Sequence, residues 1–239
     1  MKKLIIILIV LSFVGVCLAA SIQDMHKAVI ARRNVAAPAG CGTIEEVQLK
    51  YAQAVATEVT VVLDSTPIEG NLLTASLYGG SAEEDMSVAG FAKVISSEYS
   101  TTPKDVVLYW KVAGAAESTS VVGTATDAIN SYMIVQEWAG VNAVDQSVAN
   151  PNVGGVTEML SGEITTTVND ELLIAVWGLG GESGGGESFT NSFSQVAMAG
   201  NTVHYVATRI VAATGTYSST FSWTTTRIAG GLIASFYCE

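Results

Sequence analysis

The chain predicts an all-β fold, an antiparallel β-sandwich, on three observations. Short β-branched or apolar runs recur, as in EVTVVL (58–63) and DVVLYWKV (105–112), and Gly-Gly, Asn-Asp, Thr-Pro and Asn-Pro signals separate them. No long helical period appears and strands do not alternate with helices, which argues against a parallel α/β sheet. Charged residues make up 14% of 239 while apolar residues reach 49%, so one sizeable core can be built from strands and tight turns.

The elements follow in order. MKKLIIILIVLSFVGVCLAA has two lysines, an apolar run and small residues before position 21, the layout of a signal peptide over 1–20. Two alternatives stay open: acylation at Cys17, which Val16 suits poorly, and an uncleaved membrane anchor. Leu4 to Ala20 is 17 residues, the short limit for a span. Residues 21–40, SIQDMHKAVIARRNVAAPAG, read as a basic, helix-compatible extension or linker, with Met25, Val29 and Ile30 on one side and Ala-Pro-Ala-Gly ending the pattern. The sandwich domain is expected over 41–239. Its strands are expected at 46–53, 58–63, 71–78, 105–112, 132–138, 163–168, 171–177, 203–211, 216–223 and 228–237.

The domain repeats itself. GNLLTASLYGG is answered by DELLIAVWGLGG, with Leu72-Leu73 matching Leu172-Leu173 and Gly79-Gly80 matching Gly180-Gly181. Lys111-Val112-Ala113 then aligns with Ile210-Val211-Ala212, Ser118-Thr119 with the Ser218-Ser219-Thr220 run, and Ile134 with Ile233. The reading is two related half-domains, 72–140 and 172–237, each unable to cover its own apolar face and closing over one core.

The order GNLL, WKVAG, ST, IVQEWAGV, DQS, TTTVNDELL, RIVAATGTYSSTF and ASF resembles a family of secreted and phage-encoded β-sandwich domains of tail-fibre, adhesin-like and cell-surface proteins. The resemblance spans roughly residues 44–237. It implies a jelly-roll, lectin-like (concanavalin-like) sandwich used outside the cell or on a virion, as a non-enzymatic module. It carries no catalytic motif to transfer.

Charge narrows the partners. From residue 41 on, six basic residues (Lys50, Lys93, Lys104, Lys111, Arg209, Arg227) face 21 acidic ones, so nucleic acid and anionic membranes are disfavoured and the surplus serves solubility. Cys41 and Cys238 stand at the two ends of the domain and are disulfide candidates in an oxidising compartment. Free thiols and an intermolecular link remain the alternatives. Neither cysteine has a nearby cysteine or histidine with zinc-site spacing.

Chemistry is sparse. His204 lies within an apolar strand, and no G-x-S-x-G elbow accompanies it. Glu137, Asp145, Glu163, Asp170 and Glu171 are carboxylates a glycoside hydrolase could pair, but no E-x-D-x-E strand is present. Asp170-Glu171 reads as a turn before a strand, and Glu137 as the solvent-side member of an alternating strand. Two acidic loops at matching positions, Glu83-Glu84-Asp85 and Glu182 to Glu187, supply oxygens of the kind Ca²⁺ takes, yet no D-x-D-x-D-G loop occurs. Trp138 and Trp177 read as core, whereas Trp110 and Trp223 have polar neighbours and are the aromatics to place on a sugar-binding face. The expectation is a structural or adhesive surface protein whose partners are other subunits, including copies of itself, or cell-surface glycans. A lectin-like module comes second and a secreted hydrolase third.

Overall fold

The computed structural model describes residues 42–79, 86–99, 105–125, 130–199 and 203–239. The leader, the 21–40 extension, Cys41, Glu83, Glu84 and Asp85 lie outside them. All described residues belong to one compact unit, Val35–Glu239. No helix occurs among them, and so none long and apolar enough to cross a membrane.

Fourteen strands run β1 (Glu45–Val55), β2 (Glu58–Val62), β3 (Leu72–Gly79), β4 (Met86–Val88), β5 (Ala92–Glu98), β6 (Asp105–Val112) and β7 (Ser120–Ala125). They continue β8 (Asn130–Ala139), β9 (Ala143–Thr165), β10 (Glu171–Leu179), β11 (Ser188–Phe189), β12 (Ser194–Ala199), β13 (His204–Val211) and β14 (Thr216–Tyr237). All pairings are antiparallel. The sequence pattern missed β4, β5, β7, β11 and β12, all short. It also took 163–168 for a strand of its own, although it overlaps only the end of the 23-residue β9, and it split the continuous β14 into 216–223 and 228–237.

The strands fall into a repeated scheme. One sheet has the order β1-β8-β3-β6-β5, and a second, six-stranded, has β11-β14-β10-β13-β12 with β9 also paired to β14. A third sheet, β2-β7-β4, is matched by the far end of β9, the first part of β14 and β11. In the first half β1 and β2, and β7 and β8, are separate strands. In the second half the corresponding pairs are continuous, and β14 shifts register between Ser222 and Arg227 as it passes from one layer to the next. In each half the pairing is nested, first strand with last and second with next-to-last.

Register corrects the sequence alignment by one residue in places. Leu72 faces Trp138 and Leu172 faces Phe236; Leu73 faces Lys111 and Leu173 faces Arg209. Lys111 therefore answers Arg209 rather than Ile210, and Ile134 answers Leu232 rather than Ile233. A one-residue slip exchanges the two faces of a strand, and the burial agrees: Ile134 and Leu232 share one core while Ile233 belongs to another.

The expectation of a single core is also corrected, because there are three. The two larger sheets face each other across one, built from Leu72, Leu108, Ile134 and Trp138 on one side and Leu172, Ile174, Leu232 and Phe236 on the other. Behind the first sheet, Leu77, Val107 and Met133 pack under β2, β4 and β7. Behind the second, Trp177, Tyr205 and Ala175 pack under Met159, Phe221 and Trp223. Strands β3 and β10 are thus covered on both faces, which is why they are continuous apolar runs buried at every position. Strand β2 alternates exposed and buried, as an outer strand should.

Candidate functional site

Two buried polar networks occupy matching places. Strand β1 bulges at Val47 between the Glu46–Trp138 and Gln48–Glu137 pairs, and β9 bulges against Ser235 between Val144–Phe236 and Ser147–Ala234. In the first half Glu137 is fully buried (0% exposed), so its expected solvent-side position is corrected. Its carboxylate accepts from Gln48 Nε2 at 2.5 Å, the Ile68 amide at 2.8 Å and Asn71 Nδ2 at 2.6 Å. Gln48 in turn accepts from the Ser65 amide and donates to the Ser65 carbonyl. The sequence did not reveal this network, because its members lie on three separate segments: β1, the connection between β2 and β3, and β8. A glutamate between Gln136 and Trp138 looks solvent-facing until β2 and its connection are placed over it.

In the second half the carboxyl sits on the neighbouring strand. Glu171, buried at the start of β10, accepts from the Val168 amide at 3.2 Å, lies near Ser235 and Asp145, and leaves Oε2 without a hydrogen-bond partner among the described residues. Burial, followed by the charge of Asp145, raises its carboxyl to about 7 against the lowering effect of Ser235 and Val168. Asp145 loses some hydration too, but the Thr167 hydroxyl at 2.6 Å, the Thr167 amide at 2.7 Å and Gln146 hold it below its usual range. Here Asp145 is the more acidic member and Glu171 the less acidic one, and each influences the other's acidity. Glu171 is closed to substrate by burial. Glu163 lies exposed on β9, and Asp170 is a turn residue with φ +57°.

His204 is fully buried, and among the described residues neither ring nitrogen has a hydrogen-bond partner. It stacks on Tyr78 at 5.9 Å, and burial drops its pKa to about 3, so the imidazole stays neutral. Tyr78 donates to the Leu179 carbonyl at 2.7 Å. The next layer differs sharply between the halves. Tyr78 pairs with Tyr132 in the first sheet, where the second sheet has Gly178 paired with Gly230. A Cβ on Gly178 would come within 2.8 Å of the Tyr99 hydroxyl, and one on Gly230 within 2.4 Å of its ring. The glycines make the hole that Tyr99 fills.

The expected ligand residues are put to other uses. Trp223 is 4% exposed, and its Nε1 donates to the Thr225 carbonyl at 2.6 Å; its expected exposure is corrected, because Phe221, at 5.1 Å, packs beside it. Trp110 lies half-buried against the shared core. These two tryptophans belong to different cores and do not form one face. Glu187 accepts from the Ser183 hydroxyl and from Tyr205 OH at 3.1 Å, and these bonds hold its pKa low against partial burial. The side chain of Glu182 is exposed, while its carbonyl accepts from Arg227 Nε at 2.9 Å. The described loop thus engages its acid in its own closure, and no group of three or more metal-ligating side chains occurs among the described residues.

No protein-family model matches the chain, and no curated protein or solved structure gives a significant match.

Proposed function

We propose that the protein is a non-enzymatic structural or adhesive surface protein, exported through its leader, that works by assembling with other copies of itself. The observation that carries the reading is where its chemically capable side chains go: Glu137, Glu171, His204 and Trp223 are buried in the fold, and Glu187 ties down its own loop. The nested strand order of each half supports a jelly roll, the architecture expected from the resemblance to secreted and phage-encoded surface domains. Electron microscopy and light scattering on the processed chain, with a glycan array in parallel, test the reading. Ordered oligomers with no glycan signal are expected. Monomers that bind glycans through the face around Trp110 would replace it with the lectin-like module.

A Cys41–Cys238 disulfide is part of the same proposal. The neighbours of both cysteines meet one turn. A Cβ on Gly140, whose φ is +78°, would touch the Thr43 carbonyl at 2.6 Å and the Gly42 carbonyl at 2.9 Å. Two residues on, Asn142 receives the Glu239 amide on its side chain at 2.8 Å and donates its own amide to Tyr237 at 2.9 Å. Closing the loop between positions 41 and 238 contributes roughly 4–5 kcal/mol on chain-entropy grounds. Thiol titration of the unfolded, unreduced protein is expected to find neither cysteine free, and two titrating thiols would sink the bridge.

A further inference from the structure

We propose that the free edge of β1 receives residues 22–37 of a second copy as an added strand. The proposal rests on the assembly reading and names its contact surface.

Among the described strands β1 pairs with β8 alone, so from Leu49 to Val55 one row of its backbone groups has no strand beside it. Edge strands are normally blunted by proline, by bulges or by brevity. This one runs 11 residues without proline, and its one bulge, at Val47, lies near its start. It is also apolar where it should not be. Tyr51 is 61% exposed and Val55 71%, on the face of β1 that carries Leu49 into the shared core. The counterpart strand is built differently: Ala149 of β9, at the place of Tyr51, packs against that core. Of the seven large apolar side chains left exposed among the described residues, five (Val47, Tyr51, Val55, Val62, Ile68) fall between positions 47 and 68.

Charge selects the occupant. Glu45, Glu58, Asp64 and Glu69 are exposed along the same stretch against Lys50, which is paired with Asp64 at 2.9 Å. Two such edges repel each other, which disfavours β1 pairing with β1 of another copy. The segment 22–37 carries Lys27, Arg32 and Arg33 against Asp24, with Ile22, Met25, Val29, Ile30 and Val35 as apolar contacts. Acidic edge and basic segment are complementary, and strand addition supplies the backbone bonds. We take a second copy as the source, and mixing two variants, each lacking one of the surfaces, separates it from the same chain.

The test uses two variants of the processed full chain, each altered only at exposed or terminal positions. One carries Lys27→Glu, Arg32→Glu and Arg33→Glu; the other carries Tyr51→Ser and Val55→Ser, which removes the apolar contacts without reversing the charge of the edge. Light scattering is expected to show assemblies for the unaltered protein and single-chain mass for each variant, with each variant still melting in one cooperative transition. Mixing the two variants is expected to restore a dimer and no more, since each supplies one working surface. Unaltered protein that is monomeric overturns this contact and the assembly reading together. Assemblies that survive both sets of changes overturn the contact alone. Monomeric variants that stay apart on mixing overturn exchange between copies.

Discussion

The two halves share a strand scheme and differ in chemistry at nearly every buried polar position. At the bulge, the first half sets Gln48, Glu137 and Asn71 where the second sets Gln146, Ser235 and Glu171. The carboxyl has moved from the last strand of the sheet to its neighbour, and the amide or hydroxyl has moved the other way. Between the halves, a Tyr78–Tyr132 pair on one sheet meets a Gly178–Gly230 pair on the other. Backbone register is held in common while side-chain volume and hydrogen-bonding roles are exchanged. That is the expected outcome when burial fixes the register and each site need only be filled and satisfied.

The largest effect is expected where the halves fill their separate cores. Trp177 and Leu77 hold equivalent positions on β10 and β3, both buried to 0%. Trp177 also donates to the Met159 carbonyl at 3.0 Å and packs on Phe221 and Phe189. Trp177→Ala is expected to lower stability by about 3–5 kcal/mol and Leu77→Ala by about 2–5 kcal/mol, measured by urea unfolding. Both variants should unfold in one transition, because the shared core couples the halves. Two separate transitions would mean that each half stands alone.

Next comes the contrast between the carboxyls. Glu137 accepts three hydrogen bonds, so Glu137→Gln replaces an acceptor oxygen with a donor facing donors, and a loss of about 1–3 kcal/mol is expected. Glu171 titrates at about 7, and Glu171→Gln mimics its protonated form. Its expected effect at pH 7 is near zero. Equal losses from the two substitutions would erase the distinction drawn between the networks.

The same contrast sets a pH dependence. Glu171 titrates at about 7 when folded instead of 4.5, so its contribution is complete below pH 4.5 and is lost as pH rises through about 7. His204 works oppositely. Its folded pKa is about 3 instead of 6.5, so its contribution is complete above pH 6.5 and is lost as pH falls below that. Between pH 4.5 and 6.5 the two slopes oppose each other. Melting curves of Glu171→Gln should show stability rising with pH across this window, and those of His204→Phe should show it falling. Variants that both keep the slope of the unaltered protein would show that neither group titrates in this way.

Sequence reading reached the fold class because alternation and turn residues are local signals. The likeness of Leu72-Leu73 to Leu172-Leu173 is visible because both pairs lie on strands buried on both faces, where residue type is narrowly limited. Sequence reading misaligned β6 with β13 because Val112 and Val211 look alike, and only hydrogen-bond register shows which face each takes. It placed Glu137 and Trp223 at the surface because both have polar or charged neighbours in sequence, whereas Glu137 is held by Gln48, Ile68 and Asn71 and Trp223 packs beside Phe221. The Asp145–Glu171 pair joins positions 26 apart across the β9–β10 turn, with Ser235 between the strands, and no linear spacing encodes that.

The smallest expected effect concerns the one basic position the halves hold in common. Lys111 and Arg209 face Leu73 and Leu173, and each lies over an aromatic ring, Phe91 at 5.5 Å and Tyr217 at 5.1 Å. Their other partners differ. Lys111 forms an ion pair with Glu117 at 2.7 Å, whereas Arg209 donates to the Asn191 carbonyl at 2.9 Å. Lys111→Met and Arg209→Met each keep much of the aliphatic stem over the ring and remove the charge. Losses of about 0.5–1 kcal/mol are expected from either. Salt should tell them apart: the Lys111 loss should shrink as ionic strength rises, since an ion pair is screened. The Arg209 loss should be nearly constant, because its partners are a neutral carbonyl and a ring. Identical salt dependence would mean that the ion pair with Glu117 adds nothing beyond the contact with Phe91.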